Sequence, residues 1–366
     1  MSLIVFDYPV IISLIGATLV GFSAGIISCY AVLKEQSLLG DAIAHAALPG
    51  ICIAFLITLN KTASIIMSGA LFSGILGMLF ITTIIRKSIL KEDTALGVIL
   101  SVFFGIGTLL LTVIQKIPTA RQAGLDTYLF GNAASILIEE VKIIGVVTLI
   151  IFGITLLCWK EFKIIIFDAD HAKSQGFSTT KLELILTVLI VIAITIGLQT
   201  VGVILMSAII IAPAVAAKQW QNRLSRMMIL SVIFSIASCI IGVLVSSSYN
   251  HLPTGPSIVI VISLFVLLSL LISPKGMITK KIYETINQHQ IRMESILSNL
   301  YLLAKTHDDH THPHNIKTLS ILGTPPTQKL LNKLQKKNLI YQKDPFNWGL
   351  TPEGIEVAVK ILQRVH

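Results

Sequence analysis

Ser37-Leu38-Leu39-Gly40-Asp41-Ala42-Ile43-Ala44-His45-Ala46-Ala47-Leu48-Pro49-Gly50 opens an apolar run that continues to Leu59. Counted from Asp41, the run is long enough to cross a hydrocarbon core, which needs roughly 17–25 residues. It reads as a membrane helix that carries a carboxylate and an imidazole. Ionisable groups inside a membrane segment are costly and generally mark an ion or proton pathway. Asp41 and His45 stand four residues apart, which on a helix stacks both side chains on one face, within reach of one cation. Two readings follow: an intramembrane metal site, or a helix-end cap whose side chains pair only with each other. Asp offers a hard oxygen and His a borderline nitrogen, a set that suits Zn²⁺ or Mn²⁺ and also admits Fe²⁺. Pro49, one turn beyond His45, weakens the local helix ladder and gives either a gating kink or a packing kink.

Composition extends this reading to the whole chain. The 366 residues are 54% hydrophobic and 13% charged, about half the charged fraction of a soluble globular protein. A polytopic membrane protein is expected. The net charge of +9 would suggest nucleic acid in a soluble chain; here it points to loops retained in the cytoplasm. Cys29, Cys52, Cys158 and Cys239 lie in apolar stretches without a CxxC pair, so structural disulfides and thiolate metal sites are not expected. No basic residue precedes the first apolar run, which is therefore expected to stay as a membrane helix.

Nine apolar windows lie near residues 9–33, 42–59, 63–85, 95–114, 138–158, 182–198, 200–217, 227–247 and 256–273. The short polar break Gln199-Thr200-Val201-Gly202 leaves eight or nine membrane helices. Basic residues occupy alternate connections: Lys34; Arg86, Lys87 and Lys91; Lys160, Lys163, Lys173 and Lys181; Lys218, Arg223 and Arg226; Lys275, Lys280 and Lys281. The other connections hold little beyond Lys61, Lys116 and Arg121. The positive-inside rule then places the N-terminus outside and the C-terminus in the cytoplasm. Beyond Pro274 the composition turns polar, dividing the chain into a membrane domain, 1–276, and a soluble domain, 277–366. In the latter, helical spacing over 291–305 and 327–337, a strand near 338–343, a turn at Asp344-Pro345-Phe346-Asn347 and a last helix capped by Thr351 read as a winged helix-turn-helix. The expected fold is thus an all-α polytopic membrane protein with a cytoplasmic winged-helix domain.

Four ordered stretches resemble the permease subunits of bacterial ABC importers for zinc, manganese and iron. They are Ser37 to Gly50; Phe167-Asp168-Ala169-Asp170-His171-Ala172-Lys173-Ser174-Gln175-Gly176; Thr200 to Ala214; and Leu252-Pro253-Thr254-Gly255-Pro256-Ser257-Ile258-Val259. The resemblance covers residues 8–273. It implies a dimeric pathway formed with a second permease copy or a paralogue, and a bacterial inner-membrane location. It also implies metal delivery by an extracellular or periplasmic metal-binding protein, and a separate cytoplasmic ATP-binding subunit. The family's membrane metal gate falls on Asp41 and His45. Its ATPase-coupling segment falls on Asp168, Asp170, Ala172 and Gly176; an ordinary solvated loop is the other reading. His171 there reads as a surface residue. No Gly-x-x-x-x-Gly-Lys-Ser/Thr loop occurs, and the nearest stretch, Gly323 to Lys329, fails the pattern, so ATP binding falls to a partner. The divalent metal is substrate, and no resident cofactor is expected.

Residues 291–366 resemble the N-terminal winged helix of diphtheria-toxin-repressor-class regulators, through Met293-Glu294 to Leu303, residues 322–339 and Leu350-Thr351-Pro352-Glu353-Gly354. Ser295 and Ser298 stand where those repressors carry acidic metal ligands, and the chain stops before their dimerisation helices, so metal-switched DNA binding is not expected. Lys329, Lys333, Lys336 and Lys337 could touch phosphates, but a tethered monomer would bind duplex weakly. His307, His310, His312 and His314, with Asp308 and Asp309, make the loop at 306–315 either a flexible metal chelator or a merely polar loop. The leading function is an importer permease for Zn, Mn or Fe. The competing ones are a membrane-tethered metal-sensing DNA-binding regulator, an ATP-independent metal transporter and an importer of larger metal chelates.

Overall fold

The computed structural model describes residues 7–36, 38–60, 62–116, 136–249, 252–305, 311–322 and 328–365. Lys61, Arg121, His307 and His310 lie outside the described residues. The chain forms two compact units, Met1–Gly276 and Met277–His366.

In the first unit, the helices are α1 (Tyr8–Leu33), α2 (Leu39–Thr58), α3 (Ala63–Lys87), α4 (Glu92–Gln115), α5 (Ile138–Leu157), α6 (Trp159–Phe167), α7 (Ala169–Ser174), α8 (Thr179–Val201), α9 (Val203–Trp220), α10 (Leu224–Ser248) and α11 (Thr254–Ile272). Among the described residues, eight helices are long and apolar enough to cross a membrane: α1 to α5, α8, α10 and α11. The shorter apolar α9 accounts for the ninth window. The break between α8 and α9 is one residue, Gly202, with φ +91°, a backbone region that favours glycine. The chain folds back there, because Met206 leaves no room for a Cβ on Gly197. In one straight helix those residues would stand about 13 Å apart.

Small residues let the helices approach closely. A Cβ on Gly25 of α1 would fall 2.7 Å from Val232 Cα of α10. The seam is bridged by Ser231 Oγ, which donates to Gly25 O at 2.8 Å. Ser28 Oγ, 3.3 Å from Ser231 Oγ, accepts from the Ala214 N–H beside Pro213 at 2.9 Å. Helix α2 lies in the middle of the bundle, packed on α3, α4, α8 and α9. Gly50 meets Gly69 of α3 backbone to backbone, with no room for a Cβ on either. Ser73 Oγ donates to Ala46 O at 2.6 Å across the same seam.

Polar contacts gather the basic connections at one end of the bundle. Lys34 pairs with Glu183 of α8 at 3.6 Å, Gln36 donates to Glu92 of α4 at 2.6 Å, and Lys275 meets Asn222.

The second unit contains α12 (Met277–Ala304), β1 (His314–Asn315), α13 (Ile316–Leu322), α14 (Gln328–Lys336), β2 (Ile340–Asp344), β3 (Asn347–Leu350) and α15 (Pro352–Val365). Its sheet is antiparallel in the order β1-β3-β2. The strands put an all-α description out of place for the whole chain; it is mostly helical. Ile296, Leu297 and Leu300 of α12, Leu331 and Leu334 of α14, and Trp348 of β3 share its core. Thr351 Oγ1 accepts from the Gly354 N–H at 3.1 Å, starting α15 at Pro352. Sequence reading missed α13 and β1. Seven and two residues long, they are too short to carry a periodic signal.

Candidate functional site

Asp41 occupies the first turn of α2, where the helix dipole favours a negative charge. No side chain caps that terminus by a hydrogen bond. The carboxylate turns instead along the helix, and His45 Nε2 stands 3.4 Å from Asp41 Oδ1. The His45 side chain is 12% exposed and that of Asp41 33%, so the pair is reachable from one side and packed on the other. Phe104 of α4 meets the imidazole edge-on, with ring centroids 4.8 Å apart. Nδ1 of His45 is buried and has no hydrogen-bond partner among the described residues. Pro49, inside α2, has no N–H for the carbonyl of His45, which removes one rung of the ladder beside the imidazole.

The sequence brought Asp41 and His45 to one face, and the structure places them there. It held no sign of Phe104, an aromatic among apolar neighbours whose role follows only from the packing of α4 on α2. Chemically, the pair supplies one oxygen and one nitrogen. No group of three or more His, Cys, Asp or Glu side chains occurs among the described residues. A tetrahedral Zn²⁺ site wants four donors and harder ions want about six, so a metal held by this pair would need further donors from water, backbone carbonyls or another chain.

Cys29, Cys52 and Cys239 are buried free thiols, and Cys158 is a partly buried one.

The second candidate segment, residues 168–176, turns around α7. Asp168 caps this helix, accepting from the His171 N–H at 2.8 Å. Asp170 pairs with Lys173 at 3.4 Å, with both side chains mostly exposed. Ala172 is fully buried and anchors the helix. Gly176 closes it with φ +87°, and a Cβ there would meet nothing within 4 Å. His171 is exposed and its ring nitrogen lies 2.9 Å from Gln175 Nε2. The preceding helix α6 carries no window of its own in the sequence, because its nine residues continue the apolar run of α5.

In the second unit, His312 and His314 stack edge-on, with centroids 5.4 Å apart. Ser298 Oγ donates back to Glu294 O at 3.0 Å, an ordinary intrahelical arrangement. Of the basic residues on α14, Lys329, Lys333 and Lys336 are exposed, as is Lys337 just beyond it.

The structure is a polytopic helical bundle that carries an acid–imidazole pair in the first two turns of α2. Residues 7–273 match the ABC 3 transport family, and the chain belongs to it. It is 37% identical over 344 residues to the manganese transport system membrane protein MntC of Bacillus subtilis (strain 168), covering 94% of this chain and 79% of that protein. It is 43% identical over 269 residues to the zinc transport system membrane protein TroC of Treponema pallidum (strain Nichols), covering 74% of this chain and 90% of that one. Among solved structures, PsaBC from Streptococcus pneumoniae in complex with Fab superimposes with a TM-score of 0.66 at 32% identity, covering 74% of this chain and 94% of that chain. A match over 94% of the chain runs past Gly276, so the Bacillus relative shares sequence with the second unit as well.

Proposed function

We propose that this chain is the membrane-spanning permease of an ATP-driven importer for divalent metal ions, Zn, Mn or Fe. The observation that carries the reading is the Asp41–His45 pair inside the bundle of a chain from the ABC 3 transport family. The names of its manganese and zinc relatives support the same cargo. Metal reaches the pair from an extracellular or periplasmic metal-binding protein. A second permease copy or paralogue faces the pair and completes its coordination, which two side chains alone leave open. A cytoplasmic subunit supplies ATP hydrolysis, since the chain has no phosphate-binding loop.

The basic connections gathered at one end face the cytoplasm of a bacterial inner membrane, as the positive-inside rule requires. Residues 168–176 sit among those connections. A capped, exposed short helix anchored by Ala172 suits docking to the ATPase, where rigid-body motion can pass into the bundle. Pro49, inside α2 next to the site, removes a rung of the helix ladder there, which suits a gating kink. The second unit is a cytoplasmic accessory domain with a winged-helix arrangement, and its histidines, His307, His310, His312 and His314, form a chelating loop. It is not a working repressor, because Ser295 and Ser298 offer no acidic ligands there.

The test is reconstitution with the candidate ATPase and metal-binding protein in proteoliposomes. Zn²⁺, Mn²⁺ or Fe²⁺ should stimulate ATP hydrolysis and enter the lumen, and Asp41→Ala should remove both effects. Metal flux without ATP would favour a secondary transporter instead.

A further inference from the structure

A groove of about 780 Å³ opens between α1, α5, α6 and α10, and none of its walls belongs to α2 or α4. Phe22 and Ile26 of α1, Phe152 of α5, and Met228, Val232 and Ile233 of α10 make most of its length apolar. From Ser225 to Ile233 it follows nine residues of α10, whose eight steps span about 12 Å at the helical rise. That approaches the ~15 Å depth of one leaflet's hydrocarbon.

One end of the groove is chemically different. Thr155, Trp159, Lys160 and Glu161 gather there. Thr155 is 2% exposed, and its hydroxyl has no hydrogen-bond partner among the described residues. Other threonines of the bundle, such as Thr18, Thr187 and Thr195, give theirs to the carbonyl four residues back. Glu161 Oε2 is likewise buried without a partner among the described residues. Two orphaned oxygens at the head of an apolar groove are costly unless a donor and an acceptor arrive with its occupant. Trp159 and the long side chain of Lys160 are residue types that settle at the membrane–water boundary.

We propose that this groove binds a membrane phospholipid whose headgroup carries a free ammonium, of the phosphatidylethanolamine class. The acyl chains lie along Phe22, Phe152 and Val232. The Thr155 hydroxyl donates to an ester carbonyl at the glycerol. Lys160 meets the phosphate, and the ammonium donates to Glu161 Oε2. A choline headgroup has no N–H to give this carboxylate. A glycerol headgroup can donate hydroxyls but brings no positive charge, so adjacent Lys160 and Glu161 together select the zwitterion with an ammonium. The inference rests on the membrane bundle and stands apart from the cargo of the transporter.

Native mass spectrometry of the detergent-purified full chain tests it, with phosphatidylethanolamine, phosphatidylcholine and phosphatidylglycerol of identical acyl chains as probes. The parent should bind the ethanolamine lipid about tenfold more tightly than the other two, the scale of one charge-assisted hydrogen bond. Glu161→Gln, which keeps the shape of the side chain, should erase that preference while retaining lipid. Val232→Trp should fill the groove and reduce binding of all three. Equal binding of the three lipids by the parent overturns the proposal, as does a preference unchanged in Glu161→Gln. So does efficient cross-linking of Leu157→Cys to a second copy in native membranes, which would make the groove a protein interface.

Discussion

Asp41 and His45 pair at 3.4 Å, Nδ1 of His45 has no hydrogen-bond partner among the described residues, and Asp41 is one-third exposed. If the pair binds the metal as proposed, removing either side chain should lower metal uptake at least about tenfold, since even the outer partners of metal ligands are worth roughly 10–100-fold. Asp41→Ala and His45→Ala in a proteoliposome uptake assay check this, with membrane insertion unchanged. The same helix carries a packing constraint. Gly50→Ala drives a methyl into the Gly69 carbonyl, whereas Gly105→Ala meets nothing within 4 Å. Overpacking costs about 1–3 kcal/mol, so Gly50→Ala should lower the thermal unfolding midpoint in detergent and Gly105→Ala should not. The pair itself was legible in the sequence, because two ionisable residues at helical spacing stand out in an apolar run. Phe104, Gly50 and Gly69 were not, because aromatics and glycines are common in membrane helices and only the α2–α3 and α2–α4 packing gives them a partner.

Among the elements, the membrane helices were the most legible, since an apolar run of the required length has few other fates. The α8–α9 junction was ambiguous because a single residue makes it. One glycine at positive φ turns the chain, and a hydropathy window averages over it. The short α7 depends on its cap. Asp168→Ala removes the hydrogen bond to the His171 N–H, at a cost of about 1 kcal/mol. It should reduce metal-stimulated ATP hydrolysis in the reconstituted complex while leaving the ATPase subunit's own turnover unchanged. Ala172 was marked in the sequence as part of this segment, and its complete burial makes it an anchor. Cysteines at exposed Asp170 or Lys173 are therefore the ones expected to cross-link to the ATPase. Cross-links from Arg86 or Lys91 in their place would move the coupling contact to the α3–α4 connection.

For the whole molecule, the two units have separate cores, and each is stabilised by its own buried side chains. Deleting residues 277–366 should leave uptake competent and change only its response to metal on the cytoplasmic side. Any duplex binding by the full chain should be weak and fall steeply with salt, as expected where a few lysines contact phosphate. A metal-dependent footprint on one DNA sequence at physiological salt would make the second unit a regulator's output. The composition change after Pro274 made the second unit visible in the sequence, but the order of its short elements depended on pairings that no local pattern encodes. The central claim is that a metal ion passes the Asp41–His45 pair at the expense of a partner's ATP. Metal-stimulated ATP hydrolysis, measured with the parent and with Asp41→Ala and His45→Ala in the same proteoliposomes, addresses it most directly. The account expects stimulation by a divalent metal in the parent and its loss in both variants. Equal stimulation in all three would contradict it.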